Sequence, residues 1–319
     1  PMKQLLFFFL LISFTANSQD FSSVDVKVKS YPKLISAKKL ADKINQDFSS
    51  DITKVRAVFS WLAQNIKYDL AEFYNPSNKS IRFSYSSEEE RKQKLRAIKN
   101  TIVSNTLRKR KAVCEGYAQT FSKICELLNI KNEVIKGFVR NSSEEIGKPQ
   151  ENANHAWNAV KINNKWLYFD ATWAAGFLMN GKWQRNFNDY YFNIPKSKYF
   201  LTHYPEDSLW QLRIGRMSKQ AFYNQPIYSH AFLKSGVSLL YPKSGVIGVK
   251  NNLAVKVQFQ NLASNNQVYY NYSYQRYAKK PAEEIKGNIN TLSFTTPTNS
   301  SDMYIFFNRE LALQFKVIK

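Results

Sequence analysis

Two cysteines and three histidines among 319 residues leave little material for a disulfide framework or a structural zinc centre. Cys114 and Cys125 lie eleven residues apart in a stretch with helical periodicity, about 16 Å at 1.5 Å per residue. That is far beyond the roughly 7 Å at which a bridge becomes impossible. No carboxylate-rich loop has calcium-ligand spacing, so no cofactor and no metal is implied. No stretch approaches the 18 or more apolar residues that a membrane span needs. Negative charge is also scarce: 24 acidic residues stand against 46 basic ones, for a net charge of +22. Such a balance biases association toward anionic surfaces, polymers or acidic substrates and says little about fold. The basic residues are dispersed rather than gathered into a recognition motif, which ranks nucleic acid low among partners.

The N-terminal residues carry Lys3, an apolar run Leu5–Phe14, and then small residues at Ala16 and Ser18 around Asn17. This is the order of a secretory signal, so a removed signal peptide over residues 1–18 and a periplasmic or secreted location are expected. Pro1 has no physical reading. No cysteine follows the cleavage position, which argues against a lipid anchor. In an exported chain, a cysteine that cannot form an intramolecular bridge points to use rather than structure.

Asn163-Asn164 sits between two apolar-rich segments, and asparagine tolerates the positive φ that a two-residue hairpin turn demands. A hairpin centred there sets Ile162 opposite Lys165 and, counting back, Trp157 opposite Asp170. His155 shares the face of Trp157 and becomes a diagonal neighbour of Asp170, with Cβ atoms about 7–8 Å apart, within reach of one hydrogen bond. The opposite face, with Ala156, Val160, Ile162, Leu167, Phe169 and Ala171, is the more uniformly apolar and reads as core.

Tyr117, Phe121, Ile124 and Leu128 recur at helical spacing, which predicts a helix over 112–128 with Cys114 in its first turn. The macrodipole and free N–H groups there favour a thiolate, and an adjacent imidazole adds to the effect. Gly116 would leave backbone beside the sulfur uncovered, and the N–H groups of this turn are candidates to hold an oxyanion. Two basic runs stand out. Arg91–Arg96 follows Glu88-Glu89-Glu90 and reads as a solvated helix of mixed charge, whereas Arg108–Lys111 ends three residues before Cys114 and is either an exposed loop or an attractor of acidic substrate. Cys125 reads as core.

Cys, His and Asp, in that order, in "CEGYA", "HAWN" and "YFDATW" segments, resemble the transglutaminase-like superfamily, whose papain-like core carries a triad in that sequence. VFSWLAQNIKYD at 58–69 and HYPEDSLWQL at 203–212 resemble its kyphoscoliosis-peptidase-like branch, so the resemblance covers about residues 36–215. It implies Cys114 as nucleophile, His155 as general base and acid, and Asp170 as the residue that orients His155. An intact triad does not name a substrate.

Helical patterns at 36–48, 51–66, 87–107 and 112–128 precede strands near 132–140, 154–162 and 166–171. The expected fold is therefore α+β: a transglutaminase-like core of helices packed on an antiparallel sheet over 19–215, followed by a small all-β sandwich over 216–319 built from alternating segments such as LAVKVQFQ and MYIFFN. Tyr269–Tyr277 reads as one tyrosine-rich strand, and the polar loop 141–152 either gates the site or merely connects two strands. Trp157, Trp166 and Trp173 are candidates to wall a substrate groove or to shield the His–Asp pair. Two functional readings stay open. One is an exported cysteine acyl-transfer enzyme acting on a protein, peptide or cell-wall amide, with water or an amine as acceptor. The other is a non-catalytic cell-envelope binding or scaffolding protein that keeps the fold. Oligomeric state is left open.

Overall fold

A computed structural model describes residues 20–76, 83–249, 254–295 and 300–318; the expected signal peptide lies outside them. The described residues open with α1 (Ser22–Lys29), α2 (Ala37–Asp47) and α3 (Asp51–Asn65). Serine starts the next two of these: Ser36 Oγ accepts from the Lys39 N–H and Ser50 Oγ from the Thr53 N–H, at 3.3 and 3.4 Å. The two-residue β1 (Lys67–Tyr68), the short α4 (Leu70–Tyr74) and the long α5 (Glu88–Lys109) follow. α5 is capped by Ser87 and laced by Glu90–Lys94 and Glu88–Arg91 pairs at 2.6 and 3.2 Å, the mixed solvated helix expected of that charge run. It ends at Arg110 in the left-handed region, φ 54°.

β2 (Lys111–Ala112) then pairs in parallel with β1 and leads into α6 (Cys114–Leu127). Gly116 has a steric reason different from the one expected: a Cβ there would lie 2.5 Å from Ala112 Cβ and 2.6 Å from Thr106 Oγ1. Its missing side chain lets α6 start hard against the end of α5.

The central sheet has the order β5-β4-β3-β8, all antiparallel, from β3 (Asn132–Val139), β4 (His155–Ile162), β5 (Lys165–Phe169) and β8 (His203–Pro205). The hairpin register is the expected one, Ile162 opposite Lys165 through Asn158 opposite Phe169, with Asn163 and Asn164 at φ 47° and 61°. The two-faced division is not. Seven of the eight residues of β4 are buried, because α6 covers one side while α8 (Lys196–Thr202) and β8 bring Tyr199 and His203 against Trp157 on the other. Between the hairpin and α8 come α7 (Ala171–Ala175) and a two-stranded ribbon, β6 (Gly176–Met179) and β7 (Lys182–Arg185). Gly137 lies opposite His155 on one side and Pro205 on the other, and a Cβ there would stand 2.3 Å from Tyr204 O and 2.5 Å from the Trp157 ring. That close approach sets β8 beside the hairpin.

The remaining elements are α9 (Lys219–Tyr223), β9 (Ile227–Tyr228), α10 (His230–Lys234), β10 (Ser238–Tyr241), β11 (Val246–Gly248), β12 (Val255–Gln260), β13 (Val268–Tyr272), β14 (Ala282–Lys286), β15 (Ile289–Phe294), β16 (Asp302–Phe307) and β17 (Glu310–Ile318). They form two sheets, β10-β12-β15-β14 and β11-β17-β16-β13 with β9 also on β17, facing across one apolar cluster. Phe259 against Phe307 and Tyr270 against Phe294, centroids 5.6 and 4.8 Å apart, join the sheets edge to face. The tyrosine segment is not one strand: it pairs only to Tyr272, after which Tyr274 and Tyr277 turn into solvent at 94% and 70% exposure. Buried Arg140, just past β3, donates to the carbonyls of Tyr223, Gln225 and Pro226 at 3.2, 2.6 and 3.2 Å, fastening the first core to the segment that leads into the second. The loop after it is fastened as well, since the Gly147 N–H donates to Tyr223 O at 2.9 Å and Lys219 Nζ to Gln150 O at 2.8 Å.

Candidate active site

Cys114, His155 and Asp170 meet where the start of α6, the first residue of β4 and the end of the hairpin converge. α6 is held onto β4 by Asn158 Nδ2, which donates to Ala118 O at 3.0 Å, and onto α3 by Tyr117 Oη, which donates to Ile66 O at 2.7 Å. Cys114 is half-buried and free; Cys125, on the same helix, is sealed in the core, and burial pushes its thiol well up.

Asp170 does two jobs. Oδ1 caps α7, accepting the N–H groups of Thr172 and Trp173 at 2.9 and 3.0 Å. Oδ2 accepts from His155 Nε2 at 2.7 Å and from His203 Nε2 at 3.1 Å. Asp170 and His203 have no exposed surface and His155 only 7%. Nε2 of His155 is committed to the carboxylate, and after Asp170 the side chain of Cys114 is the next influence on the ring.

The electrostatics follow from this seating. Burial alone would lower the His155 pKa, but the Asp170 charge and hydrogen bond, followed by those of Cys114, outweigh it and carry the imidazole up to about 10. Burial would raise Asp170, yet the His155 charge and the hydrogen bonds from both histidines hold the carboxyl well below the usual range. His203 shifts the other way, lowered first by burial and further by the His155 charge against the pull of Asp170. The shifts favour the charged forms of His155 and Asp170 and the neutral form of His203, whose Nδ1 is 2.8 Å from the Thr202 hydroxyl.

His203 was not singled out as a site residue from sequence, although it opens the HYPEDSLWQL segment. It arrives by strand pairing, with Val139 opposite His203. The third histidine, His230, bonds Asn188 at 2.8 Å and takes no part. Trp157 is 1% exposed and stacks 5.9 Å from His155, so it shields and cannot wall a groove; Trp173, 5.6 Å from His155 and 4.9 Å from His203, closes another side. Trp166 instead packs on Trp210 at 5.0 Å. The tryptophan that does line a cleft is Trp183, together with Lys67, Tyr68, Asp69, Lys111 and Lys182.

Among the described residues, His155, Asp170 and His203 are the one compact set of metal-binding side chains. Every oxygen of Asp170 is already an acceptor, and the set is sealed, so it suits a hydrogen-bonded relay better than a metal with an open position.

Residues 38–171, the α+β core with a half-exposed cysteine at a helix start and a histidine and aspartate on one hairpin, match the family model of the transglutaminase-like superfamily. Over that part the chain is similar to a transglutaminase-like domain. Its similarity to kyphoscoliosis peptidase supports the branch suggested by the flanking motifs. It is 25% identical to the Homo sapiens protein over 76% of this chain and 34% of the relative, and 26% identical to the Mus musculus protein over 74% and 32%. The chain spans about a third of the length of these curated relatives. A solved structure described as a TGase aligns with 55% of this chain and 37% of its own at 20% identity, with a TM-score of 0.29. Among the described residues no helix is long and apolar enough to cross a membrane.

Proposed function

We propose that the protein is a cysteine acyl-transfer enzyme in which Cys114 is the nucleophile, His155 the proton carrier and Asp170 the group that orients His155. The observation that carries this reading is the seating of one imidazole: Nε2 is fixed to a sealed carboxylate at 2.7 Å, and the half-exposed Cys114 acts on the same ring. The thiolate attacks an amide carbonyl, and the C–N bond breaks as His155 gives its proton to the leaving amine. A thioester on Cys114 results. Water or a second amine then loses a proton to His155 and attacks the thioester, the C–S bond breaks, and the thiolate returns with a carboxylic acid or a new amide as product. The backbone N–H groups of Cys114 and Glu115, ahead of the first helical bonds at Gly116 and Tyr117, are placed to take the oxyanion. The proposed substrate is a protein or peptide amide, met outside the cytoplasm in keeping with the signal-like N-terminal pattern.

Trapping with an acyl-enzyme-forming probe tests this. The intact chain is expected to gain one acyl mass on Cys114, and Cys114→Ala none. A folded wild-type chain that stays unmodified across amide and ester probes would favour the scaffolding reading.

A further inference from the structure

A cleft against β2, the strand that ends two residues before Cys114, carries lysines that no described side chain neutralises. It is a hollow of about 450 Å³ bounded by β1, the start of α4, Lys111 of β2 and the β6–β7 ribbon. Its place relative to the sulfur is fixed by strand pairing: Tyr68 lies opposite Ala112, the Asp69 N–H donates to Ala112 O at 3.0 Å, and Cys114 follows two residues later. Tyr68 lines the hollow, and after burial the charges of Cys114 and Asp170 are the next influences holding its proton. The opposite wall continues from α7, the helix that Asp170 caps.

Asp69 is the one carboxylate among the lining residues, and it is already engaged by Lys111 at 3.2 Å and by the Glu72 N–H at 3.4 Å. Lys67 and Lys182 are exposed and make no ion pair among the described residues. The elements that bound it also expose apolar side chains: on β6, Leu178 and Met179, paired with the lining residues Trp183 and Lys182, stand 45% and 52% exposed, and on α4 Phe73 and Tyr74 48% and 60%. Exposed lysines on elements that also expose apolar side chains are what an extended peptide with one acidic side chain and apolar neighbours would engage.

We propose that this cleft is the acyl-donor subsite and that it selects peptides carrying a carboxylate side chain within a residue or two of the reacting amide, held by Lys67 and Lys182. This rests on the acyl-transfer reading and names its substrate class. Each exposed lysine contributes a few-fold, so the two together give about tenfold at low salt.

The test alkylates the full chain with iodoacetate and with iodoacetamide, reagents that differ by one negative charge. Cys125 is fully buried and does not report. In Lys67→Glu/Lys182→Glu the iodoacetate-to-iodoacetamide rate ratio at Cys114 is expected to fall about tenfold, with the iodoacetamide rate within about twofold of wild type, and the difference should fade in 0.5 M salt. A Glu-containing peptide should protect wild-type Cys114 from iodoacetamide better than its Gln counterpart. An unchanged ratio, or equal protection, with a normal iodoacetamide rate overturns the subsite and leaves the nucleophile standing. Slow iodoacetamide labelling of the wild type would strike at the nucleophile itself and remove the proposal with it.

Discussion

On one side of His155 lie Asp170 and His203, with no exposed surface and every polar atom of the carboxylate bonded; on the other lies Cys114, half-exposed, just past a cleft whose Lys67 and Lys182 make no ion pair among the described residues. The sealed side can hold charge in a fixed geometry because tryptophans and the central sheet exclude water from it. The open side must admit a substrate, so it keeps exposed side chains. A reactive thiol needs both: the sealed side sets the charge and angle of the imidazole, and the open side supplies access.

The comparison can be broken most forcefully at the imidazole. His155→Ala should lower turnover of a trapped substrate by a thousandfold or more, as should Cys114→Ala, while Cys114→Ala leaves the melting temperature within a degree or two, because the sulfur is not core. A comparable loss of fold in both would show that the two sides are not distinct.

A smaller effect concerns pH. His155 has a raised folded pKa, so its contribution to stability is fully present below the unfolded value near 6.5 and is lost as pH rises toward about 10. Asp170 has a depressed one, so its contribution is present above the unfolded value near 3.9 and is lost as pH falls through its folded value. The wild-type melting temperature should drop by several degrees more than that of His155→Gln between pH 6.5 and 10. Parallel curves would remove the buried ion pair from the account.

Next in size is the backbone. Gly137→Ala must push β8 off by collision with Tyr204 O and the Trp157 ring, at a cost of about 1–3 kcal/mol, and should slow turnover by displacing His203. Denaturation midpoints and rates measured on the same sample check it. At the bottom of the scale, Lys94→Ala, which removes an exposed pair with Glu90 on α5, should change stability by about 0.5 kcal/mol or less and leave activity alone.

Local chemistry made much of this legible. The asparagine pair gave the hairpin register and hence the meeting of His155 with Asp170, and helical periodicity set Cys114 at a helix start. What stayed hidden was carried by long-range packing. His203 reaches Asp170 from 33 residues away through a strand that pairs with β3, and no periodicity announces it. Both faces of β4 are covered because α8 and β8 return over the hairpin, so an alternation argument assigned one face too few to the core. Gly116 was read for its backbone, whereas its role is set by Thr106 and Ala112 on other elements. The cleft is made of three separate segments, and of these the sequence had marked 58–69 for its family likeness and Arg108–Lys111 for its charge, with nothing to join them.

The most direct measurement is the pH profile of Cys114 alkylation by iodoacetamide in the wild type and in His155→Ala. The account predicts that near neutral pH the wild type is labelled at least about tenfold faster than His155→Ala, with the gap closing in alkali. Two superimposable ordinary profiles would mean that the imidazole does not act on the sulfur, and would contradict it.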